Sequence, residues 1–430
     1  MSTKLRLIIL SFLQFFIWGS WLITIGAYWF QTKQWSGAQF GAIFSTMGIA
    51  SIFMPSLMGI VADKWMNAEK LYGLLHILGG LVLLTIPFVA DPGTFFWVIL
   101  LNMIFYMPTL ALSIAVSYSV LKREGYDVVK YYPPIRVWGT VGFIVAMWTV
   151  SLLGFEKSAN QFYVAAAAAI LLGLYSFTLP KCPPTAKDTP SRSLVDVLGL
   201  KSFALLRDTK MLTFFLFALL LGAALQLTNA YGDTFLHDFD KVPAYQDTFA
   251  VKYPAIIMSI SQISETLFIL AIPFFLRRFG IKQVMLFSML AWVLRFGLLA
   301  YGTPDNPGIW LIVLSCIVYG MAFDFFNISG SLFVETQTAS SIRASAQGLF
   351  MMMTNGFGAV LGSSVSGIVI EKYFTAADGI TKDWHSIWLA FAAYALVIAV
   401  LFVVLFKHKH NPQQLEDTEP SEHLLSVEPA

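Results

Sequence analysis

Twelve apolar runs, each long enough to cross a lipid bilayer as a helix, dominate this sequence of 430 residues. A helix needs about 20 mainly apolar residues to span the hydrocarbon core. In chain order the runs cover residues 7–30, 38–62, 71–90, 94–121, 135–154, 161–180, 211–236, 252–276, 283–301, 308–334, 344–371 and 385–406. We therefore expect an all-α membrane protein with twelve transmembrane helices, because helices satisfy their backbone hydrogen bonds internally within lipid.

The composition excludes a soluble enzyme and a disordered chain. Charged residues make up 12% of the sequence, about half the share found in soluble domains. The 38 Phe, 16 Tyr and 12 Trp residues are too many for a disordered chain. Cys182 and Cys316 give neither a disulfide framework nor a metal-ligand spacing. No catalytic constellation is recognisable, so we expect no enzyme activity, no cofactor, no metal and no nucleic-acid partner.

The basic residues between the runs predict the orientation in the membrane. Cytoplasmic segments of membrane proteins carry an excess of Lys and Arg. With the N-terminus inside, nineteen of the 27 basic residues fall in cytoplasmic segments and six fall outside. This bias places both termini in the cytoplasm. The first run follows Lys4 and Arg6, but it is too long for a signal peptide and lacks a cleavage site, so we expect a retained helix.

A polar segment over 181–210 divides the runs into six and six. We predict an N-terminal six-helix bundle over 1–180, a cytoplasmic linker over 181–210, a C-terminal six-helix bundle over 211–407 and a disordered cytoplasmic tail over 408–430. No phosphate-binding loop of the form G-x-x-x-x-G-K-[ST] is present in the sequence. Uphill transport would therefore have to draw on an ion gradient.

This layout resembles the major facilitator superfamily. The short loop after the second run agrees, because Gly59, Asp63 and Lys64 match the superfamily's G-x-x-x-D-[RK] motif. A glycine in such a motif is expected to let two helices approach closely. The sequence therefore predicts the major facilitator superfamily fold.

Polar residues in the seventh and eighth runs are candidates for a ligand site, because ionisable groups cost roughly 2.5–3.5 kcal/mol in hydrocarbon on insertion scales. Gln226 and Asn229 share one helix face, and Gln262 and Glu265 share another. Amides suit the edge of a heterocyclic base or a sugar hydroxyl. Desolvation favours the neutral form of a carboxyl group, which suits Glu265 to proton coupling. Hydrogen bonds between helices are the alternative role for these residues.

The tenth run places aromatic residues beside an acid. Tyr319, Phe323 and Asn327 follow one another at four-residue spacing, with Asp324 adjacent. Such a face suits a flat ligand with hydroxyl groups, although aromatic stripes more often serve packing. Asp324 could couple protons, or it could form a structural ion pair with Arg295 in the ninth run. Because such a pair would hold Asp324 ionised, Glu265 is the favoured coupling group.

The fifth run carries Arg136, Thr140 and Phe143 at i, i+4 and i+7. An Arg side chain donates hydrogen bonds in a planar fork and keeps its charge, so Arg136 suits ligand binding. Anchoring at the cytoplasmic end of the helix is the alternative. Weaker candidates for lining the same cavity are Gln14, Trp18, Trp21, Asn102 and Tyr106.

Several long strings of the sequence resemble the bacterial nucleoside:proton symporters of the major facilitator superfamily. They include LSFLQFFIWGSWL (10–22), PPIRVWGTVGF (133–143), IMSISQISETLFILAIPFFL (257–276) and YGMAFDFFNISGSLFVE (319–335). The resemblance covers roughly residues 4–410. It implies a monomer of two pseudo-symmetric six-helix bundles in the bacterial inner membrane, which imports purine and pyrimidine nucleosides with protons by alternating access.

The resemblance also implies roles for particular residues. Substrate contacts are expected from Arg136, Thr140, Phe143, Gln226, Asn229, Gln262, Glu265, Tyr319 and Phe323. Proton coupling is expected from Glu265 and Asp324. The residues considered without the resemblance allow a sugar or oligosaccharide proton symporter equally well.

Overall fold

The computed structural model describes residues 2–126, 128–184, 200–338, 343–378 and 381–408. Half of the predicted linker, residues 185–199, and all of the predicted C-terminal tail after residue 408 lie outside these ranges. Within the described ranges the regular structure is helical, apart from an isolated β-bridge between Thr375 and Lys382. The chain divides into two compact units, Met1–Trp35 with Ala42–Leu198 and Ser36–Gly41 with Gly199–Ala430.

The first unit contains helices α1 to α6, although the first residues of α2 belong to the second unit. Their bounds are α1 Thr3–Gly19, α2 Gly37–Lys64, α3 Ala68–Thr85, α4 Pro92–Arg123, α5 Val128–Leu152 and α6 Asn160–Ser176. Shorter turns follow α1 and α3: a helical turn Ile25–Ala27, a π-helical turn Tyr28–Lys33 and a 3-10 turn Ile86–Phe88.

The second unit contains helices α7 to α12. Their bounds are α7 Thr209–Asp238, α8 Pro254–Tyr301, α9 Ile309–Gln337, α10 Arg343–Met351, α11 Ala359–Phe374 and α12 Trp384–Leu405. Shorter segments are the 3-10 turns Leu200–Arg207 and Phe239–Lys241, the helical turn Phe249–Lys252 and a π-helical segment Met352–Gly358 between α10 and α11.

Gly280 divides α8 into two arms. Its φ of 77° lies in the left-handed region, which glycine adopts without steric cost. The predicted eighth and ninth runs correspond to the two arms of this 48-residue helix.

Nine helices in the described ranges are long and apolar enough to cross a membrane. The 17-residue helices α1 and α6 are shorter than these. Side chains such as Phe88, Trp97 and Leu270 are 81%, 67% and 77% exposed, as expected of surfaces that face lipid. The protein is therefore an all-helical membrane protein, while the count of twelve spans and the predicted domain boundaries stay predictions.

The expected close helix approach at Gly59 is wrong. A Cβ atom placed on Gly59 would meet no described atom within 4 Å. Close approach is found instead between α1 and α5, where a Cβ on Gly19 would lie 2.5 Å from the carbonyl oxygen of Phe143.

A buried hydrogen-bond network ties α1 to α3 and α4. Gln14 is completely buried. Its Nε2 donates to Thr109 Oγ1 at 3.0 Å, and its Oε1 accepts from the Tyr72 hydroxyl at 2.6 Å. The same oxygen lies 2.9 Å from His76 Nε2. Gln14, expected as a cavity-lining candidate, therefore joins helices, because its side-chain polar atoms are engaged inside the first unit.

Candidate functional site

The candidate site of the second unit lies where the first arm of α8 crosses α9. A Cβ atom on Gly320 would lie 2.7 Å from the carbonyl of Ser264 and 2.8 Å from the backbone nitrogen of Glu265. Only the missing side chain allows the two backbones to touch. The Ser264 hydroxyl donates to the Ile317 carbonyl across the same crossing. This contact places Glu265 beside Tyr319.

Aromatic rings form one wall of the site. The rings of Tyr319 and Phe323 are nearly parallel, with centroids 6.0 Å apart and planes 7° apart. Trp292, on the second arm of α8, meets Tyr319 edge-on at 6.0 Å. All three side chains are buried. The predicted aromatic face of the tenth run is thus joined by a tryptophan that the sequence analysis did not single out.

Arg295 does not form the expected ion pair with Asp324. Its Nη1 donates to the Ser315 carbonyl at 2.7 Å, and its Nε donates to Thr228 Oγ1 at 3.3 Å. Its guanidinium carbon lies 4.6 Å from the centroid of the Tyr319 ring. Ser315 and Asp324 are separated by about 13 Å along α9 at 1.5 Å per residue. A guanidinium group held at Ser315 is therefore too far along the helix to pair with Asp324.

Two buried carboxyl groups belong to the same crossing of α8 and α9. Asp324 is 2% exposed and Glu265 is 5% exposed. Oδ2 of Asp324 has no hydrogen-bond partner in the described part of the chain. The charge of Glu265 acts on Asp324 and on the Tyr319 hydroxyl. The two acids therefore influence one another directly, which the sequence analysis did not anticipate.

Two buried amide oxygens of this unit lack partners. Oε1 of Gln226 on α7 and Oε1 of Gln262 on α8 have no hydrogen-bond partner among the described residues. Asn229, one turn further along α7, is also buried. A buried acceptor without a donor is unfavourable, so these oxygens favour a ligand that supplies N–H or O–H groups.

The first unit presents the three candidates of the fifth run on α5. The Arg136 guanidinium carbon lies 4.0 Å from the centroid of the Phe15 ring on α1. Phe143 is buried against α1 at Gly19. Thr140, between them along the helix, is partly exposed. The guanidinium group of Arg136 thus packs against an aromatic ring within the first unit.

Within the second unit, the structure brings together four predicted residues at the crossing of α8 and α9, namely Glu265, Tyr319, Phe323 and Asp324. Gln226 and Asn229 lie on α7, whose Thr228 is linked through Arg295 to the ring of Tyr319. Trp292 was not predicted as a site residue, but its spacing could have indicated it, because it precedes Arg295 by three positions and shares its helix face.

Long apolar helices that enclose acids, amides and aromatic rings are typical of membrane transporters coupled to an ion gradient. Residues 1–411 match the family model of the nucleoside H+ symporters, and the chain belongs to that family. The protein is therefore a membrane transporter and not an enzyme.

Relatives with known names agree with this family. Xanthosine permease of Escherichia coli (strain K12) is 55% identical over 416 residues, which cover 97% of this chain and 99% of the relative. Nucleoside permease NupG of the same organism is 55% identical over 410 residues, which cover 95% and 97%. The crystal structure of nucleoside transporter NupG matches with a TM-score of 0.89 at 55% identity, covering 95% of this chain and 100% of that one. These similarities do not favour the sugar symporter alternative.

Proposed function

We propose that this protein imports purine and pyrimidine nucleosides together with protons. The observation that carries the proposal is the buried pair of acids, Glu265 and Asp324, beside the stacked rings of Tyr319 and Phe323. The rings offer a flat apolar surface, and the acids offer a place for a proton. Membership in the nucleoside H+ symporter family supports both parts of this proposal.

The proposed substrate contacts combine donors, acceptors and rings. Tyr319 and Phe323 contact the flat faces of the substrate, and the unpartnered oxygens of Gln226 and Gln262 accept its hydrogen bonds. The remaining proposed contacts are Arg136, Thr140, Phe143, Asn229 and Glu265. Nucleosides are neutral, so one cationic side chain among them serves as a hydrogen-bond donor rather than as a counter-charge.

The proposed proton site is shared by Glu265 and Asp324. Two neighbouring carboxylates repel one another, and one proton held between them removes that repulsion. The absence of an ion pair between Arg295 and Asp324 removes the reason for preferring Glu265 alone. We therefore assign proton coupling to the two acids as a pair.

The finer features of the transporter remain part of the proposal. We place the chain in the bacterial inner membrane as a monomer with both termini in the cytoplasm, working by alternating access of the bundles over 1–180 and 211–407. The distribution of basic residues between the apolar runs supports this orientation.

Uptake into proteoliposomes tests the function. Purified full-length protein should accumulate labelled uridine and adenosine when an inward proton gradient is imposed, and should only equilibrate them without one. Excess unlabelled adenosine should compete with uridine uptake, whereas excess maltose should not. Uptake that ignores the gradient would contradict symport, and competition by maltose would contradict the substrate assignment.

Replacing each acid by its amide tests the proton site. Glu265→Gln and Asp324→Asn should each abolish gradient-driven accumulation of uridine while leaving counterflow of uridine across the membrane. Asp305→Asn is a matched control, because Asp305 is exposed in the loop before α9, and it should behave like the unmodified protein. If one amide variant still accumulates uridine, the proton is carried by the other acid alone. If both do, the pair has no coupling role.

A further inference from the structure

A recess opens in the second unit next to Phe323, on the side of α9 that continues towards Asn327. The recess is small and open at its mouth. Prominent among the lining side chains are Leu225, Trp292, Phe323, Phe326, Asn327 and Asn355. Apolar and aromatic walls thus surround two carboxamide groups. We call this space the amide recess.

The position of Asn355 depends on a local change in helix geometry. Asn355 lies in the π-helical segment Met352–Gly358, and single π turns of this kind often occur at functional sites. The segment is pressed against α7, because a Cβ atom on Gly222 would lie 2.1 Å from the Thr354 carbonyl oxygen. The Thr354 hydroxyl donates to the Phe350 carbonyl at 3.1 Å. Thr354 is therefore engaged within its own helix, while Asn355 lines the recess.

The two carboxamides of the amide recess have no internal role in hydrogen bonding. Neither the Asn327 nor the Asn355 side chain makes a hydrogen bond to any other part of the chain that the structure describes. Asn327 is 8% exposed, and neither its amide nor that of Asn355 is among the fully buried polar atoms without a partner. Both amides are therefore open to the recess and available to a ligand. Their position beside aromatic rings indicates a site for a ligand that is both flat and polar at its edge.

We infer that the amide recess binds the base of the transported nucleoside, and that Asn327 and Asn355 recognise its hydrogen-bonding edge. The inference rests on the proposed nucleoside transport and adds a subsite to it. Each carboxamide offers a donor and an acceptor, which matches the alternating donors and acceptors of a nucleobase. Trp292 and Phe323 supply faces for the ring.

The same chemistry explains a broad choice of base. A carboxamide that turns by 180° exchanges its donor and its acceptor, so it can pair with either an amino or a keto edge. Because neither Asn327 nor Asn355 is held by another side chain, both amides are able to turn in this way. The amide recess therefore accepts purines and pyrimidines.

Leucine variants test the subsite, since leucine has the same number and branching of side-chain heavy atoms as asparagine but no polar group. In the purified full-length protein, Asn327→Leu and Asn355→Leu should each weaken uridine binding by roughly five- to a hundred-fold, measured by calorimetry. Their unliganded melting temperatures should stay the same or rise, because no internal hydrogen bond is lost. A purely structural role would lower them instead.

A modified nucleoside identifies the group that is recognised. In 3-methyluridine a methyl group replaces the N3 proton on the base edge. The unmodified protein should bind it more weakly than uridine, and both leucine variants should lose most of this difference. Loss of discrimination against 3′-deoxyuridine instead would place the ribose in the recess and overturn the assignment to the base.

Gln347→Leu provides a control with the opposite pattern. Gln347 on α10 donates to the Ser331 carbonyl at 2.8 Å and does not line the recess. This variant should keep uridine affinity and lose thermal stability. Unchanged uridine affinity in both asparagine variants would overturn the subsite while leaving nucleoside transport intact. Failure of the unmodified protein to bind uridine would overturn the proposed function and the subsite together.

Discussion

Replacing Gly320 by alanine should disturb the site through the crossing of α8 and α9. The added Cβ atom would lie 2.7 Å from the carbonyl carbon of Ser264, whereas carbon atoms in contact lie at about 3.5–4.0 Å. The overlap is therefore at least roughly 0.8 Å. The obstructing atoms belong to the backbone, so no side chain can turn away and the two helices must separate. Overpacking of this kind costs about 1–3 kcal/mol of unfolding free energy.

Gly297→Ala is the matched control for this variant. Gly297 lies in the second arm of α8, and a Cβ atom there would meet no described atom within 4 Å. Both variants receive the same backbone benefit of alanine over glycine, about 1 kcal/mol in a helix. The difference between the two therefore measures the crossing alone. We expect Gly320→Ala to be less stable than Gly297→Ala by about 1–3 kcal/mol.

The assay combines thermal unfolding of detergent-purified protein, followed by tryptophan fluorescence, with calorimetry of uridine binding. Gly320→Ala should bind uridine more weakly as well, because separation of the helices moves Glu265 away from Tyr319. Equal melting temperatures and equal affinities for the two glycine variants would refute the reasoning. A loss of stability with intact affinity would show that the crossing supports the helix pair without positioning the site.

Four further variants separate binding from stability. Gln226→Leu and Asn229→Ala should weaken uridine binding in calorimetry. Gln226→Leu should leave the melting temperature unchanged, because Oε1 of Gln226 has no partner to lose. Normal affinity in both variants would contradict the assignment. Phe143→Leu should reduce uridine affinity with little change in melting, and a large drop in melting with intact affinity would indicate packing. Gln14→Leu should show the opposite pattern, with intact uridine affinity and reduced stability. Three lost contacts at roughly 0.6 kcal/mol each should lower the unfolding free energy by about 2 kcal/mol. An unchanged melting temperature would refute this.

Some local features could be predicted from the sequence because they depend on neighbours along the chain. The apolar runs predict where helices lie, since lipid leaves the backbone few alternatives. Spacing along α9 was sufficient to place Tyr319, Phe323 and Asn327 on one side, because an α-helix repeats its faces every three to four residues. The resemblance to nucleoside:proton symporters rested on long strings of residues, and the match of residues 1–411 to that family confirms it.

The partners of Arg295 and Asp324 could not be predicted in this way. The sequence shows both residues as charged side chains inside apolar runs, yet the predicted ion pair between them is wrong. Helix spacing fixes the face on which a residue lies, but not the height at which a neighbouring helix crosses it. For the second arm of α8, which carries Arg295, contacts such as the hydrogen bond from the Ser288 hydroxyl to the Ala322 carbonyl determine that height.

Sequence by itself determined the helical membrane character of the protein, its family and the kinds of side chain available for its site. The tertiary structure alone decided which of those side chains are engaged and which remain open to a ligand. Gln14 is engaged by two neighbouring helices, whereas Asn355 is left open in a π-helical segment. Neither outcome follows from regular α-helical spacing, because the first depends on packing between distant segments and the second on an extra residue in one helical turn.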